Sequence, residues 1–164
     1  MTNIRIAKLD DKERISAVLA ASWKTAYRGM VGDDYLDALK YDHWVEFLTS
    51  GINGKYIISM VLEEGYTIIG AAILGESDIE DEIRLISFYL APDRFGQGYG
   101  RMFYREIEEE VRQRGYTKCV LDVLEANEKA IRFYRANGFV DAQKKTTAAL
   151  GSRQYTCLVM EKSL

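Results

Sequence analysis

The chain of 164 residues is 48% apolar and 29% charged, and its formal net charge is -3 at pH 7. This length suits one domain, spanning residues 1–164, with a core large enough to need no disulfide or metal. The acidic balance disfavours nucleic acid as a partner, because nucleic-acid binders usually carry a basic face. No apolar run reaches about 18 residues, so we expect no membrane partner and a cytoplasmic location.

The two cysteines and the single histidine offer no metal site. Cys119 and Cys157 each lie in an apolar run typical of a strand, where a buried free thiol is the usual role. Their spacing matches no zinc pattern, and His43 has no neighbouring ligand residues. Neither cysteine stands in a context that would lower its pKa, so we expect no covalent thiol intermediate.

The first third of the chain predicts a short strand followed by helices. Residues 4–7 alternate like a strand, and Asp10 or Asp11 can cap the helix that follows. Apolar residues then recur at helical spacing to about Leu48, with interruptions at two glycines.

A hairpin comes next. Residues 56–62 and 66–74 are β-branched, aromatic and aliphatic, and the segment Glu63-Glu64-Gly65 between them is a turn signal. We expect a two-strand meander. Another strand follows at residues 83–91 and ends at Pro92.

The C-terminal half alternates strands with helices. Phe103, Ile107 and Val111 recur every four positions, which indicates an amphipathic helix, and Gly115 and Gly138 supply helix stops. The helices are predicted at 101–114 and 127–136, and the remaining strands at 119–124, 139–145 and 154–162.

A glycine-rich turn joins the strand ending at Pro92 to the next helix, and it reads Arg94-Phe95-Gly96-Gln97-Gly98-Tyr99-Gly100. Glycines at alternate positions leave backbone N–H groups unshielded beside the positive end of a helix dipole. Such a turn is typical of a cradle for an anionic group, most often phosphate. A second segment downstream, from Asn127 to Tyr134, accompanies it.

A dinucleotide-binding domain is one alternative, since Asp122 follows the glycines by about twenty residues, as a ribose-binding acid would. After Gly98 and Gly100, however, the third glycine of that fingerprint would fall on Phe103. Too few strand–helix–strand units follow, so this alternative is disfavoured.

The two motifs resemble the signatures of the GNAT superfamily of acyl-CoA-dependent N-acetyltransferases, over nearly the whole chain. The family's turn reads Gln or Arg, two variable residues, Gly, one variable residue, then Gly or Ala; Gly98 and Gly100 match, Gly96 is extra, and Phe95 stands at the Gln/Arg position. The second signature is similar to Leu121, Asp122, Val123, Asn127, Ala130, Tyr134, Gly138 and Phe139.

The resemblance implies an α/β fold with a mixed, twisted sheet of six or seven strands flanked by helices, in which a splayed strand pair binds the cofactor. It implies acetyl-CoA as cofactor, coenzyme A as product, and direct acetyl transfer to a primary amine in a ternary complex. The acceptor is left open among small-molecule amines, polyamines, amino acids and protein N-termini. Relatives often pair through terminal strands, which leaves a homodimer open.

The resemblance also implies a cofactor site, with the pyrophosphate held mainly by backbone N–H groups and Arg94 or Arg101 supplying charge. The Leu90 amide is expected to stabilise the oxyanion on the thioester carbonyl, so its side chain should matter little. The expected cofactor-binding residues are Leu90, Phe95, Gly96, Gln97, Gly98, Tyr99, Gly100, Arg101, Asn127 and Tyr134.

Tyr134 matches the tyrosine that protonates the departing thiolate in many relatives. A phenol with a pKa of about 10 stays protonated at neutral pH, and a thiolate with a pKa of about 8.5 can accept its proton. The alternative is a core aromatic. For the base that accepts the amine's proton there are two candidates: Asp122, twelve residues before the tyrosine, and Glu82, which by alternation shares a face with Leu90.

Substrate features are confined to aromatic and acidic side chains. Trp23 and Tyr27, with Tyr35 and Trp44, can line an acceptor pocket, and an acidic run from Glu76 to Glu82 can attract a cationic amine such as a polyamine. Core packing and a solvated loop are the alternatives. A different functional class also stays open: a non-catalytic acyl-CoA-binding sensor or scaffold, which Phe95 supports and Asn127 and Tyr134 oppose.

Overall fold

The computed structural model describes residues 1–52 and 58–164. Within them the chain forms a mixed α/β fold, with a seven-stranded sheet flanked by helices. The strands are β1 Thr2–Ile6, β2 Ile58–Glu64, β3 Thr67–Glu76, β4 Glu82–Leu90, β5 Lys118–Leu124, β6 Val140–Leu150 and β7 Arg153–Ser163. The helices are α1 Lys12–Ala26, α2 Asp33–Ala38, α3 Val45–Ser50, α4 Tyr99–Gln113 and α5 Glu128–Ala136.

The sheet has the order β1-β2-β3-β4-β5-β7-β6. Neighbouring strands run antiparallel except β4 and β5, which form a parallel pair near its middle. A parallel pair needs a crossover, and α4 with the glycine-rich turn supplies it. The predicted fold class is confirmed.

The parallel pair is short. Only Glu82–Arg84 pair with Lys118–Val120, although β4 continues to Leu90 and β5 to Leu124. Beyond Arg84 and Val120 the two strands diverge into an opening that we call the fork. The predicted splayed pair is therefore present.

A β-bulge in β4 changes which side chains share a face. Ser87 pairs with Ile73 and Leu85 with Leu74, so Ile86 is the extra residue. Ile83 and Leu85 before the bulge, and Phe88 and Leu90 after it, consequently face the same core.

This bulge corrects one prediction made from the sequence. Strict alternation placed Glu82 on the face of Leu90, but the extra residue reverses the parity, and Glu82 lies on the opposite face. Eight residues of strand also separate the two, roughly 26 Å at about 3.3 Å per residue.

The helices cover both faces of the sheet. On one face, Phe103, Ile107 and Val111 of α4 are at most 2% exposed, which confirms the predicted periodicity. On the other face α1 packs against β3 and β4 through Ile15 and Leu19, and α3 packs against α1. Gly115 and Gly138 follow α4 and α5 with φ of 91° and 95°, as predicted for helix stops.

Some element boundaries differ from the predictions. Tyr56, where the hairpin's first strand was expected to begin, lies outside the described residues, and β3 runs on to Glu76. The strand predicted at 139–145 is β6, which continues to Leu150. Its register shifts between Asp141 and Lys145, and this irregularity breaks the alternating pattern that marks a strand in sequence. Over the described residues, each helix is too short or too polar to traverse a lipid bilayer.

Candidate active site

Two backbone amides of β4 face the fork. The Ala91 amide donates to the Ile69 carbonyl of β3 at 2.8 Å. Because alternate residues of an antiparallel pair bond to the same neighbour, Tyr89 also turns its N–H toward β3, while Phe88 and Leu90 turn theirs toward β5. Since β5 has diverged at this level, these two amides line the opening. Leu90 was predicted from the sequence; Phe88 was missed, and strand alternation was the signal that pointed to it.

The side chain of Leu90 packs into space left by two glycines. A Cβ built on Gly70 of β3 would lie 2.7 Å from Leu90 Cδ2, and one built on Gly100 of α4 would lie 3.6 Å from Leu90 Cδ1. The expectation that this side chain matters little for the reaction stays a prediction, although the side chain packs between β3 and the first turn of α4.

The glycine turn has the conformation that the sequence predicts. Gly96 and Gly98 have φ of 72° and 84°, which only glycine adopts without strain, and α4 begins at Tyr99. The amides of Tyr99, Gly100 and Arg101 belong to the first helical turn and have no carbonyl four residues earlier in the helix. They lie at the positive end of a 15-residue helix, where an anion is stabilised.

Around this turn the basic side chains differ in their availability. Arg94 donates to Glu64 at 2.5 Å and to Asp93 at 2.8 Å, so its charge is already paired. Tyr99 also donates its hydroxyl to Glu64, at 2.9 Å. By contrast, the Lys129 ammonium, at the start of α5, lies 5.7 Å from the centroid of the Phe95 ring.

Asn127 and Tyr134 lie on or beside α5. Asn127 caps the helix, with its side-chain oxygen accepting from the Ala130 amide at 3.2 Å. The Tyr134 ring packs edge-on against Phe133 and Phe139, with centroids 5.5 Å and 5.6 Å away. Burial raises the pKa of the Tyr134 phenol, and its hydroxyl has no hydrogen-bond partner within residues 1–52 and 58–164.

On the opposite face of the sheet the fork meets an aromatic cluster. Tyr27 and Tyr89 share a hydrogen bond of 2.9 Å between their hydroxyls. Trp23 packs edge-on against Tyr27 and tilted against Tyr89, at 4.7 Å and 6.1 Å between ring centroids. Burial raises the pKa of Tyr89, and the neighbouring phenols of Tyr27 and Tyr134 raise it further. Tyr35 and Trp44 also contact Trp23, so the predicted aromatic set is one cluster.

The two candidate bases lie on the same face as this cluster, at different levels. Asp122 stands two residues beyond the last paired residue of β5 and accepts from Arg84 at 3.0 Å, and its side chain is 38% exposed. Glu82 is 5% exposed and accepts from Ser77 at 2.6 Å, with the Lys118 ammonium 3.5 Å away. Asp122 therefore lies just past the point where the strands part, whereas Glu82 lies within the paired segment.

Both carboxylates line a groove of about 560 Å³ on this face. Of the other residues in the predicted acidic run, Glu76 and Asp78 line the groove, whereas Glu80 and Asp81 do not. Among the described residues, neither Glu76 nor Asp78 has a basic group within 4 Å. The carboxylates of the groove are Glu76, Asp78, Glu82, Asp122 and Glu161.

A smaller notch of about 160 Å³ separates the start of α2 from the turn between β6 and β7. The Gly32 amide donates to the Tyr155 hydroxyl at 3.0 Å, and the Arg153 guanidinium lies 3.9 Å from Asp34. These contacts bring the two loops together and narrow the space between them.

The cysteines and the histidine are placed as the sequence predicts. Cys119 and Cys157 are buried free thiols, and burial raises the pKa of Cys119 to about 12 and that of Cys157 above its usual range. His43 packs edge-on against Trp44. Over the residues that the structure describes, no three His, Cys, Asp or Glu side chains are grouped so as to hold a metal ion.

Comparison with known proteins identifies the class to which this fold and fork belong. The chain belongs to the acetyltransferase (GNAT) family, whose model matches residues 17–139. It is 30% identical over 140 residues to the uncharacterized N-acetyltransferase YuaI of Bacillus subtilis, a match that covers 83% of this chain and 79% of that protein. It is 26% identical over 141 residues to a spermidine N(1)-acetyltransferase of Thermoplasma acidophilum, covering 83% and 86%.

The fold is also similar to solved structures of the same class. The crystal structure of the PaiA N-acetyltransferase from Thermoplasma acidophilum in complex with coenzyme A superposes with a TM-score of 0.81 at 23% identity, covering 100% of this chain and 99% of that one. The protein is thus an acyltransferase of the GNAT type.

Proposed function

We propose that this chain transfers the acetyl group of acetyl-CoA directly to a primary amine, with both substrates bound at once. The observation that carries the proposal is the fork: the amides of Phe88 and Leu90 line it, Tyr134 packs against the same core as these two residues, and Asp122 lies on the opposite face, just past the point where the strands part. Acetyl-CoA, when bound, supplies an acetyl group activated as a thioester.

The residues present suit a coenzyme A cofactor. A pyrophosphate is anionic and accepts hydrogen bonds, and the turn offers the amides of Gly96 to Arg101 at the N-terminus of α4. A pantetheine arm contains amides of its own, which can pair with the unpaired strand edge at Phe88 and Leu90 as another strand would. Asn127 keeps its side-chain NH₂ free to donate, because its cap uses the oxygen.

Two groups of the chain stabilise the charges that develop during transfer. The amide of Leu90, or that of Phe88 two residues deeper in the fork, donates a hydrogen bond to the acetyl oxygen as negative charge develops on it. The Tyr134 hydroxyl holds a proton for the sulfur that departs. A phenol, with an ordinary pKa of about 10, is protonated at neutral pH, as a proton donor must be, and burial raises the pKa of Tyr134 further.

Asp122 is the better placed of the two candidate bases. An alkylamine has a pKa of about 10.4 and must lose a proton before it attacks. Asp122 is partly exposed and stands beside the fork, so it can attract the ammonium and pass its proton to water. Glu82 lies within the paired segment, where it accepts a hydrogen bond from Ser77 and pairs with the Lys118 ammonium. These contacts suit it to holding the residues of the groove in place.

Several features favour a polyamine as the acceptor. The groove is lined by five carboxylates and by four basic side chains, Arg84, Lys118, Lys144 and Lys145. Its Glu76 and Asp78 have no basic partner among the described residues, and a second ammonium of a polyamine would be stabilised beside them. The cluster of Trp23 and Tyr27 lies on the same face of the sheet, and aromatic rings attract cations. The similarity to a spermidine N(1)-acetyltransferase supports the same class.

A protein N-terminus is a poorer candidate. Between the start of α2 and the β6–β7 turn, the contacts of Tyr155 with Gly32 and of Arg153 with Asp34 leave a notch of only about 160 Å³. A folded protein presenting its N-terminus needs room for several residues of backbone. A flexible linear amine can instead follow the open groove.

The proposal is tested by measuring thiol release from acetyl-CoA with purified protein and a panel of acceptors: spermidine, single amino acids and short peptides with free N-termini. We expect turnover with spermidine to exceed that with the other acceptors. Faster turnover with peptides would agree with acetyl transfer but contradict a polyamine as the acceptor. Binding of acetyl-CoA with no turnover on any amine would favour the sensor alternative.

A further inference from the structure

The glycine turn lacks the Gln or Arg side chain that its family pattern carries, and Phe95 occupies that position. We propose that Lys129 takes over the missing function, contacting a phosphate of the cofactor while Phe95 holds its ammonium beside the turn. This inference rests on the proposed binding of acetyl-CoA. It assigns a cofactor-binding role to a residue that is not one of the matched positions of either sequence signature.

The geometry brings a cation from α5 to the turn before α4. The Lys129 ammonium lies 5.7 Å from the centroid of the Phe95 ring, within the range of a cation–π contact. The start of α4 lies against α5 here, since a Cβ built on Gly100 would lie 3.3 Å from Phe133 of α5. Lys129 therefore reaches the same rim to which the first-turn amides of α4 point.

The charge of Lys129 is available to a ligand, unlike that of its neighbour Arg94. Arg94 is neutralised by Glu64 and Asp93. In the described part of the chain, no carboxylate lies within 4 Å of the Lys129 ammonium. An aromatic face holds an ammonium without cancelling its charge, and it leaves N–H donors free for a phosphate oxygen. Phe95 thus positions a cation, whereas the family's residue contributes its own polar group.

Binding calorimetry with coenzyme A tests the inference without any acceptor. Lys129→Ala should weaken binding about tenfold at low salt, and the difference from the wild type should shrink as salt screens the contact. Lys129→Arg should stay within about threefold of the wild type. Arg135→Ala is the matched control, because it removes the same charge from the exposed surface of the same helix, further from the turn.

Two further experiments identify the phosphate that Lys129 contacts and test the role of Phe95. Dephospho-CoA lacks the 3′-phosphate, so an equal loss for both ligands would place Lys129 on the pyrophosphate, and a loss confined to coenzyme A would place it on the 3′-phosphate. Phe95→Arg, made in the Lys129→Ala background, should recover most of the lost affinity by restoring the family's own residue.

Coenzyme A binding by Lys129→Ala that equals binding by Arg135→Ala would overturn the inference and leave the proposed function standing. Failure of the wild-type chain to bind coenzyme A at all would instead overturn the proposed function, and this inference with it. Lys129 is exposed, so we expect the variants to fold, and equal melting temperatures would confirm it.

Discussion

Arg84 of β4 donates a hydrogen bond of 3.0 Å to Asp122 of β5, and Arg84 is also the last residue of β4 that pairs with that strand. The ion pair therefore bridges the two strands where they part. It fixes the Asp122 carboxylate just past this point, on the face that carries the groove. This position distinguishes Asp122 from the other carboxylates of the groove.

Replacing this carboxylate should impair transfer without impairing cofactor binding. Asp122→Asn should lower kcat about tenfold or more, since the amide cannot accept the proton of the amine. Coenzyme A affinity should stay within about twofold. Because the Arg84–Asp122 pair is partly exposed, the free energy of unfolding should change by no more than about 1 kcal/mol. Steady-state kinetics on Glu82→Gln provide the comparison, and a larger loss there would transfer the role of base to Glu82.

Removing the Tyr134 hydroxyl should slow the reaction about tenfold or more, because the departing sulfur loses its proton donor. Tyr134→Phe should bind coenzyme A normally, since the ring and its packing remain. Tyr104→Phe is a suitable control, because it removes a second phenol hydroxyl that is buried in the same core. Equal kcat for the two variants would return Tyr134 to a purely structural role.

Gly98→Ala should damage the phosphate cradle through backbone strain alone. Gly98 has φ of 84°, and nothing lies within 4 Å of a Cβ built there, so no side-chain clash contributes. We expect a cost of roughly 1–2 kcal/mol from the left-handed conformation and at least about tenfold weaker coenzyme A binding. Gly65→Ala, in the β2–β3 turn, has φ of 62° and equally open space. It should lose comparable stability and retain normal binding.

Acid should destabilise the protein partly through Asp11. This carboxylate is 1% exposed and accepts from Arg5 at 2.7 and 3.0 Å, and these bonds, chiefly, lower its pKa to about 2. A carboxyl with a depressed pKa in the folded state stabilises the fold above its unfolded pKa, and this stability is lost as the pH falls toward the folded value.

We therefore expect Asp11→Asn to lower the free energy of unfolding by about 2 kcal/mol at pH 7. The difference from the wild type should decline below about pH 4 and largely vanish near pH 2, as urea titrations at several pH values would measure. Glu13→Gln, on the exposed side of α1, should change stability by less than about 0.5 kcal/mol. A difference between Asp11→Asn and the wild type that did not depend on pH would exclude this titration as its cause.

Periodicity and glycine placement predicted those parts of the fold that depend on local pattern. Phe103, Ile107 and Val111 face the core because a helix returns to the same side about every fourth residue. Gly98 marked the turn because its position requires a positive φ. The signatures around Asn127 and Tyr134 predicted the family, which the comparisons confirm.

The remaining features depend on contacts between distant segments. A single bulged residue, Ile86, reversed the face of Glu82, and no local pattern marks such an insertion. The approach of Lys129 to Phe95 joins two segments that are far apart in sequence and that meet because the start of α4 packs against α5. The packing of Leu90 against Gly70 likewise depends on strand register.

The central claim is tested most directly by mass spectrometry of the acceptor after incubation of the wild-type chain with acetyl-CoA and spermidine. We expect spermidine to carry one acetyl group on a primary amine, and one molecule of free coenzyme A to form for each spermidine that is acetylated. We expect Tyr134→Phe to form this product about tenfold more slowly. The proposed activity would be contradicted if spermidine stayed unmodified in a preparation that binds acetyl-CoA and acetylates none of the amines tested.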